Sequence, residues 1–176
     1  LNSIESKIIE CIIQNDAKAF RSQISSCHSL LPNQSLEKIL KNAIDIYKTN
    51  MFISRYIVIL LEFHVDPNVI INNEDNETGQ TLLMLICEKS DINLISEICK
   101  SKKLDINKLD NRGRNALFYL KGGDADKNII EKLIEKKINK DCKDNNGNTA
   151  LHNAILMKNV KEHLIYDLIA VGDINL

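Results

Sequence analysis

The chain has 176 residues, of which 44% are hydrophobic and 27% charged, a composition typical of a soluble globular domain. Only 5% are aromatic, so the core must be largely aliphatic, and two prolines in the whole chain favour many short helices. The formal net charge of −1 argues against the broad basic surface that nucleic-acid binding requires.

Residues 1–75 contain apolar positions at helical spacing, i, i+3, i+4, in three stretches. These are Ile4, Ile8, Ile9 and Ile12; Leu36, Ile39, Leu40, Ala43 and Ile44; and Ile53, Tyr56, Ile57, Leu60 and Leu61. The pattern predicts a divergent helical cap over residues 1–34 and a divergent repeat with a long connector over residues 35–75.

Three glycines further along the chain reveal an internal repeat. Gly79, Gly113 and Gly147 are equally spaced, since 113 − 79 and 147 − 113 are both 34. An Asx residue stands three positions before each glycine: Asn76, Asp110 and Asp144. A leucine stands four positions after each glycine: Leu83, Leu117 and Leu151. An Asx residue followed by glycine predicts a tight turn in which the glycine adopts positive φ. Residues 76–109, 110–143 and 144–176 therefore form three clear repeats.

Each turn is followed by two predicted helices. Thr81 and Thr149 stand where a hydroxyl N-cap is expected, before short apolar helices over residues 82–87 and 150–156. A second, amphipathic helix follows in each repeat. The apolar stripe of this helix differs from repeat to repeat. It contains Leu94, Ile95 and Ile98 in the first repeat, Ile129, Ile130, Leu133 and Ile134 in the second, and Leu164, Ile165, Leu168 and Ile169 in the third.

The third repeat reads D-N-N-G-N-T-A-L-H-N-A over residues 144–154 and closes with L-I-A-V-G-D-I-N over residues 168–175. An earlier unit closes over residues 60–68 with His64 in place of the usual glycine, and residues 104–107 and 138–141 match more loosely. These motifs resemble the ankyrin repeat, and the resemblance covers residues 52–176. The resemblance implies an all-α fold, an ankyrin-repeat solenoid of about five stacked helix pairs joined by β-turn fingers, with a divergent N-terminal cap. We expect the whole chain, residues 1–176, to form a single domain.

The sequence departs from the ankyrin pattern at two positions of the repeat. The usual proline is replaced in all three repeats, by Leu82, Ala116 and Ala150. The usual histidine is Met84 and Phe118 in the first two. These changes are expected to soften individual repeats without changing the fold, because each repeat is stabilised by its neighbours.

The histidines give no pattern of a catalytic or metal site. The resemblance implies that His152 is structural and hydrogen-bonds the neighbouring turn. His163 has Asp167 one turn on, but no further ligand completes a metal set. His28 beside Cys27 is expected in a polar loop, and His64 lies in a closing turn.

Other candidate motifs are equally uninformative about catalysis. Gly122-Gly123 lacks the following Lys-Ser/Thr of a phosphate-binding loop and is expected to loosen or shorten a helix end. We expect no enzymatic activity, no cofactor and no metal. The lysine-rich stretches, residues 100–103 and 127–143, are interpreted as solvated helix faces, with a weak site for an acidic partner as the alternative.

The cellular compartment follows from the cysteines and from the absence of targeting signals in the sequence. Five cysteines, none in a C-x-x-C pair, indicate reduced thiols in an intracellular protein. The longest nearly apolar stretch, residues 56–63, is too short to span a bilayer, and no secretory signal is visible. We predict a cytoplasmic or nuclear protein.

The resemblance implies that binding uses the concave face and the turn tips, where positions vary freely. The predicted protein-binding residues are Glu77, Thr78, Gln80, Glu88, Lys89, Asn111, Arg112, Arg114, Asn145, Asn146, Asn148, Leu156 and Met157. Arg112 and Arg114 favour a partner with carboxylates. Leu156 and Met157 are either covered by a following repeat or form an adaptable apolar contact. The predicted partner is an acidic protein segment with an apolar anchor, bound by a chain that is monomeric by itself.

We therefore predict an adaptor or regulatory module that binds another protein, with neither nucleic acid nor membrane as partner. The abundance of Ile, Asn, Lys and Asp is typical of AT-rich genomes, which keeps a host-directed viral or bacterial effector as an alternative. A further alternative is the ankyrin segment of a larger channel or enzyme, and we expect the chain to be a fragment of a longer protein.

Overall fold

The computed structural model describes residues 2–73, 76–156 and 162–171. The chain folds into two compact units, residues 1–69 and 70–176. The predicted single domain, with its cap, divergent repeat and three clear repeats, stays a prediction. Each unit is described by itself.

The first unit contains two helical hairpins. Helix α1 spans Asn2–Ile13, α2 Ala17–Cys27, α3 Asn33–Tyr47 and α4 Ser54–Glu62, with a 3-10 turn at Met51–Ile53 before α4. Helix α1 packs on α2 and α3, and α4 packs on α2 and α3. All three predicted apolar stretches lie on these helices, and their residues supply much of the buried core.

Side-chain contacts define the start of α2 and its packing against α4. Asp16 caps α2 by accepting a hydrogen bond from the backbone N–H of Ala19 at 2.9 Å. Phe20 of α2 meets Tyr56 of α4 edge to face, with ring centroids 5.0 Å apart. His64 has φ +61°, so it adopts the left-handed conformation of the glycine it was predicted to replace.

The second unit begins with a two-stranded antiparallel hairpin, β1 Ile70–Asn73 and β2 Asn76–Thr81, with Ile70 opposite Thr81. Helices α5 Leu82–Glu88 and α6 Ile92–Ile98 follow, then a 3-10 turn at Ala116–Tyr119 and helix α7 Asp126–Glu135. Helix α8 spans Ala150–Leu156 and α9 spans Glu162–Val171.

The helices of the second unit form two layers. The inner layer contains α5, the 3-10 turn and α8, and each packs on the next. The outer layer contains α6, α7 and α9, packed in the same order. The core between them is aliphatic, and its fully buried side chains include Leu82, Ile95 and Leu133.

The first helix of the middle repeat is reduced to a 3-10 turn because the chain leaves helical geometry at Leu120 and turns at Gly122, where φ is +80°. The buried carboxylate of Asp126 accepts hydrogen bonds from the N–H groups of Gly122 at 2.8 Å and Gly123 at 3.0 Å. Ser90 donates its hydroxyl to the same carboxylate at 2.5 Å. The expectation that the glycine pair shortens the helix agrees with this geometry.

Candidate functional site

Three segments of the second unit directly precede the inner helices, and we call them the first finger (residues 76–81), the second finger (110–115) and the third finger (144–149). The tight turn predicted for Asn76–Gly79 is wrong in one respect, because the first finger is strand β2, paired with β1. In the second finger, one carboxylate oxygen of Asp110 accepts hydrogen bonds from the N–H groups of Arg112 at 2.8 Å and Arg114 at 2.9 Å. Asp144 holds Asn146 and Asn148 in the same way, at 2.9 and 2.8 Å. The Asx turn predicted from the glycine spacing is therefore present in the second and third fingers.

Neighbouring fingers are joined by a backbone hydrogen bond. Asn111 donates its N–H to the carbonyl of Thr78, and Asn145 donates its N–H to the carbonyl of Arg112, both at 2.9 Å. The Asn145 side chain also donates to the carbonyl of Asn111 at 3.1 Å. These bonds fix the three fingers in register, so their exposed side chains form one surface.

The glycines make this close approach possible. A Cβ atom added to Gly79 would lie 2.6 Å from Oδ1 of Asn111, and one added to Gly113 would lie 2.7 Å from Oδ1 of Asn145. Both glycines also have positive φ, +68° and +75°. A side chain at either position would therefore collide with the next finger in addition to straining the backbone.

The exposed part of this surface, which we call the finger surface, contains four predicted binding residues: Asn111, Arg112, Asn145 and Asn146. The guanidinium of Arg112 makes no hydrogen bond or ion pair with a described residue. Its backbone is fixed by Asp110 and by the third finger, so the cation projects from a rigid base. A rigid cation flanked by amide side chains can bind a carboxylate with little loss of conformational entropy.

Arg114 differs from Arg112, because its side chain makes contacts within the second finger. Only 18% of its side chain is exposed, and its guanidinium contacts the carboxylate of Asp110 at 2.8 Å. It also donates to the hydroxyl of Tyr119 at 3.2 Å, and that hydroxyl in turn donates to Asp110 at 2.7 Å. Arg114 therefore holds the second finger together.

The charge of Asp110 is stabilised by the same contacts. Burial alone would raise the pKa of this carboxyl group, but hydrogen bonds from the Arg114 amide, Tyr119 and the Arg114 guanidinium lower it below the ordinary value. Burial, followed by the hydrogen bond to Asp110, raises the pKa of Tyr119. At neutral pH Asp110 is a carboxylate and Tyr119 a neutral donor.

A second charged group lies beside the first finger. Glu88, at the end of α5, accepts hydrogen bonds from Gln80 at 2.9 Å and from Lys121 at 2.6 Å. Burial would raise the pKa of Glu88, but Lys121 and Gln80 lower it. The sequence analysis did not identify Lys121 as part of the site. One signal could have found it: when the repeats are aligned on their glycines, Lys121 stands next to the position of Glu88.

The remaining predicted residues differ in accessibility. Thr78, Lys89 and Asn148 are half-buried, and Leu156 is 73% exposed at the end of α8. Of Glu77 only the backbone, in β2, is described, and Met157 lies outside the described residues. Which of these residues bind a partner stays a prediction.

Two histidines occupy different surroundings from those expected. Nδ1 of His152 lies 2.7 Å from the hydroxyl of Thr149, so the hydrogen bond expected with a neighbouring turn is made to the cap of its own helix. His28 is not in a polar loop: it ends α2, and its ring lies 4.8 Å from that of Phe63. His163 lies in the first turn of α9.

The described residues contain no group of three His, Cys, Asp or Glu side chains that could hold a metal ion. All five cysteines are free thiols, and burial raises the pKa of each. They are thus protonated at neutral pH and weak nucleophiles. Within the part of the chain that the structure describes, no helix has both the length and the apolar character needed to cross a membrane.

Comparison with known proteins identifies the fold. No protein-family model and no curated protein matches the sequence. The crystal structure of EF0377, an ankyrin repeat protein, is similar with a TM-score of 0.53 and 16% identity, over 93% of this chain and 96% of that one. A chain in the complex of a predatory endopeptidase from Bdellovibrio bacteriovorus with an immunity protein is similar with a TM-score of 0.58 and 19% identity, over 93% and 97%.

The predicted fold class is confirmed by these similarities. The chain has an all-α, ankyrin-like repeat fold, and its described residues form mainly helices together with the short hairpin of β1 and β2. Because the identities are as low as 16% and 19%, the similarity shows the fold and leaves the partner of this chain to be argued from its own surface.

Proposed function

We propose that this chain is a protein-interaction module, acting as an adaptor or regulatory subunit, and that it binds its partner through the finger surface. The observation that supports this most directly is the hydrogen-bonded register of the three fingers, which holds Arg112 and three asparagines on one edge without burying them. Side chains held out from a rigid scaffold are typical of binding sites.

The chemistry of this edge favours an acidic protein segment. Arg112 supplies a planar donor for a carboxylate, and the exposed amide of Asn146 beside it can bind a backbone group of a peptide. The exposed Leu156, at the end of the inner helix that follows the third finger, supports an apolar anchor in the partner. The ankyrin repeat neighbour, and the neighbour solved as an endopeptidase–immunity protein complex, are compatible with a protein partner.

Selection from a random peptide display library tests the proposal and does not require an identified partner. The whole chain, immobilised, should enrich peptides that contain Asp or Glu next to an apolar residue. For the best peptide, Arg112→Glu should weaken binding at least about tenfold, because an attractive contact becomes a repulsive one.

The matched control is Lys127→Glu, which makes the same charge change at an exposed position of α7. It should weaken binding by less than about twofold, because Lys127 is an exposed residue of the outer layer and salt screens the charges of exposed residues. Arg114 is left unchanged in both variants, since its loss would disturb the second finger itself. Equal loss in the two variants, or no loss in Arg112→Glu, would contradict the proposal.

A further inference from the structure

Two pairs of lysines occupy equivalent positions in consecutive repeats. Lys102 and Lys103 follow the end of α6, and Lys136 and Lys137 follow the end of α7. Both pairs are one repeat apart, since 136 − 102 and 137 − 103 are 34. All four residues are exposed, and we call them the lysine ladder.

The loops that carry the two pairs are hydrogen-bonded to each other. The side chain of Asn107, in the first loop, accepts the N–H of Asn139 at 2.6 Å and donates to the carbonyl of Lys137 at 3.3 Å. Burial raises the pKa of Cys99 at the end of α6, and the charge of Lys136 acts against that rise, so Lys136 lies close to this helix end. The stacking of the repeats therefore brings the two pairs to one part of the surface.

The acidic residues nearby do not neutralise the lysine ladder. On α6, Glu97 is paired with Lys100 at 2.7 Å. On α7, Glu135 is paired with Lys132 at 3.2 Å. Three members of the ladder form no ion pair with a described residue: Lys102, Lys136 and Lys137.

Positive charge is concentrated in these two segments of the chain. Residues 97–108 and 131–143 together contain nine lysines and five acidic residues, a net charge of +4. The whole chain has a net charge of −1, so the rest of it carries −5. Exposed like charges that face each other across neighbouring repeats repel, and this repulsion opposes the compact state.

Lys137 also keeps its charge in a strained position. Its φ is +64°, in the left-handed region, and its N–H donates to the carbonyl of Ile134 at 2.8 Å as it ends α7. Glycine adopts this conformation without strain, whereas a residue with a Cβ atom does not. Strain that the rest of the fold must offset is typical of functional positions.

We propose that the lysine ladder is a second binding surface, and that it takes an extended acidic protein segment with several adjacent carboxylates. A segment that crosses from one repeat to the next meets both lysine pairs and relieves their repulsion. The loops contain no aromatic residue on which a base could stack, and the negative remainder of the chain disfavours a long polyanion such as duplex DNA. A short acidic segment fits both observations.

The lysine ladder differs from the finger surface in what it requires of a ligand. The finger surface binds a carboxylate through one arginine and favours an apolar anchor beside it. The ladder requires a row of negative charges and no apolar group. This inference therefore goes beyond the proposed function and does not depend on it.

The test measures binding of fluorescent octaglutamate to the whole chain, with octaglutamine as the uncharged control peptide. Octaglutamate should bind at low salt, about 0.05 M, and more weakly at about 0.2 M, because exposed charges are screened. A triple variant, Lys102→Gln with Lys136→Gln and Lys137→Gly, should weaken binding at least about tenfold, since it removes three of the four cations.

Two controls separate the site from net charge and from folding. A second triple variant, with Lys7, Lys41 and Lys127 each changed to Gln, removes the same charge at exposed positions and should weaken binding by less than about twofold. Lys137→Gly alone should weaken binding by about twofold or more while its thermal midpoint stays equal or rises, because glycine relieves the left-handed strain. Arg112→Glu should leave octaglutamate binding within about twofold of wild type, even if it abolishes binding at the finger surface.

Several results would overturn the inference. Equal weakening in the two triple variants would show that octaglutamate responds only to net charge. A midpoint several degrees lower in Lys137→Gly would mean that this lysine is structural. Absence of octaglutamate binding at low salt would show that the ladder is only a solvated surface. Tighter binding of a short DNA duplex, lost in the first triple variant, would make nucleic acid the occupant instead.

Discussion

The second and third fingers have the same backbone and different surroundings. In both, an aspartate accepts two N–H groups of its own turn, and a glycine adopts positive φ, +75° in Gly113 and +81° in Gly147. The second finger is hydrogen-bonded to a finger on each side. The third is bonded to the second, and its outer carbonyl accepts no hydrogen bond from a described residue.

Their side chains differ as well. In the second finger, Asp110 contacts Arg114 and Tyr119. In the third repeat, Asn148 and Asn153 stand at the positions of these two partners. Asp144 accordingly forms no ion pair with a described residue. The comparison shows that the turn motif is sufficient for the geometry, whereas neighbouring repeats and a local ion pair determine how strongly it is fixed.

Replacing each glycine by alanine should separate local strain from the effect of the neighbour. Gly147→Ala should destabilise by about 1 kcal/mol, from positive φ alone. Gly113→Ala should cost about 3 kcal/mol, because its Cβ also meets the third finger in a close-packed contact. Denaturant unfolding of the two variants measures the difference, and equal losses would mean that the third finger does not pack on Gly113.

Replacing Asp110 should destabilise the chain more than replacing Asp144. Asp110→Asn should lower the free energy of unfolding by about 2 kcal/mol, since it leaves Arg114 and Tyr119 without a charged acceptor. Asp144→Asn should cost about 0.5 kcal/mol or less, because an amide oxygen can accept the same N–H groups. Equal effects, measured by urea unfolding at pH 7, would contradict the role assigned to Arg114.

The two arginines of the second finger provide a smaller contrast. Arg114→Gln should destabilise by about 1 kcal/mol through loss of the largely buried pair with Asp110. Arg112→Gln should change stability by less than about 0.5 kcal/mol, as expected of an exposed side chain without a described partner. Thermal unfolding of both variants checks this, and a large loss in Arg112→Gln would reveal a structural contact for that side chain.

The smallest expected effect is a dependence on pH. The pKa of Asp110 is lowered in the folded chain, so its contribution to stability is present above the ordinary carboxyl pKa and is lost as the pH falls below it. Between about pH 5 and about pH 3, the wild type should therefore lose more stability than Asp110→Asn. Asp144→Asn is the control, and identical slopes for wild type and Asp110→Asn would contradict the shift.

Much of this architecture was predictable because it depends on local patterns. Glycine spacing predicted the turns of the second and third fingers, and apolar spacing predicted helices such as α3 and α7. In the first finger it predicted a turn where pairing with β1 gives a strand instead. Thr81 caps α5 as its position before an apolar run predicted. These features require only contacts within one turn or one face of a helix.

The features that were missed depend on side chains brought together by the fold. The sequence alone does not distinguish the roles of Arg112 and Arg114. In the structure Arg114 contacts Asp110 and Tyr119, whereas the side chain of Arg112 is exposed. Likewise, Lys121 reaches Glu88 because successive repeats stack, and His28 packs on Phe63 from a different helix. Such contacts depend on which side chains the fold brings together, and the apolar and glycine spacing alone does not predict them.

The most direct test of the proposed interaction is a map of where a selected acidic peptide binds. Titration of the peptide into the isotope-labelled whole chain should shift the backbone amide resonances of Asn111, Arg112, Asn145 and Asn146, and Arg112→Glu should remove these shifts. Shifts confined to the lysine-rich face of α7 or to the helices of residues 1–69, unchanged in Arg112→Glu, would contradict the finger surface as the binding site.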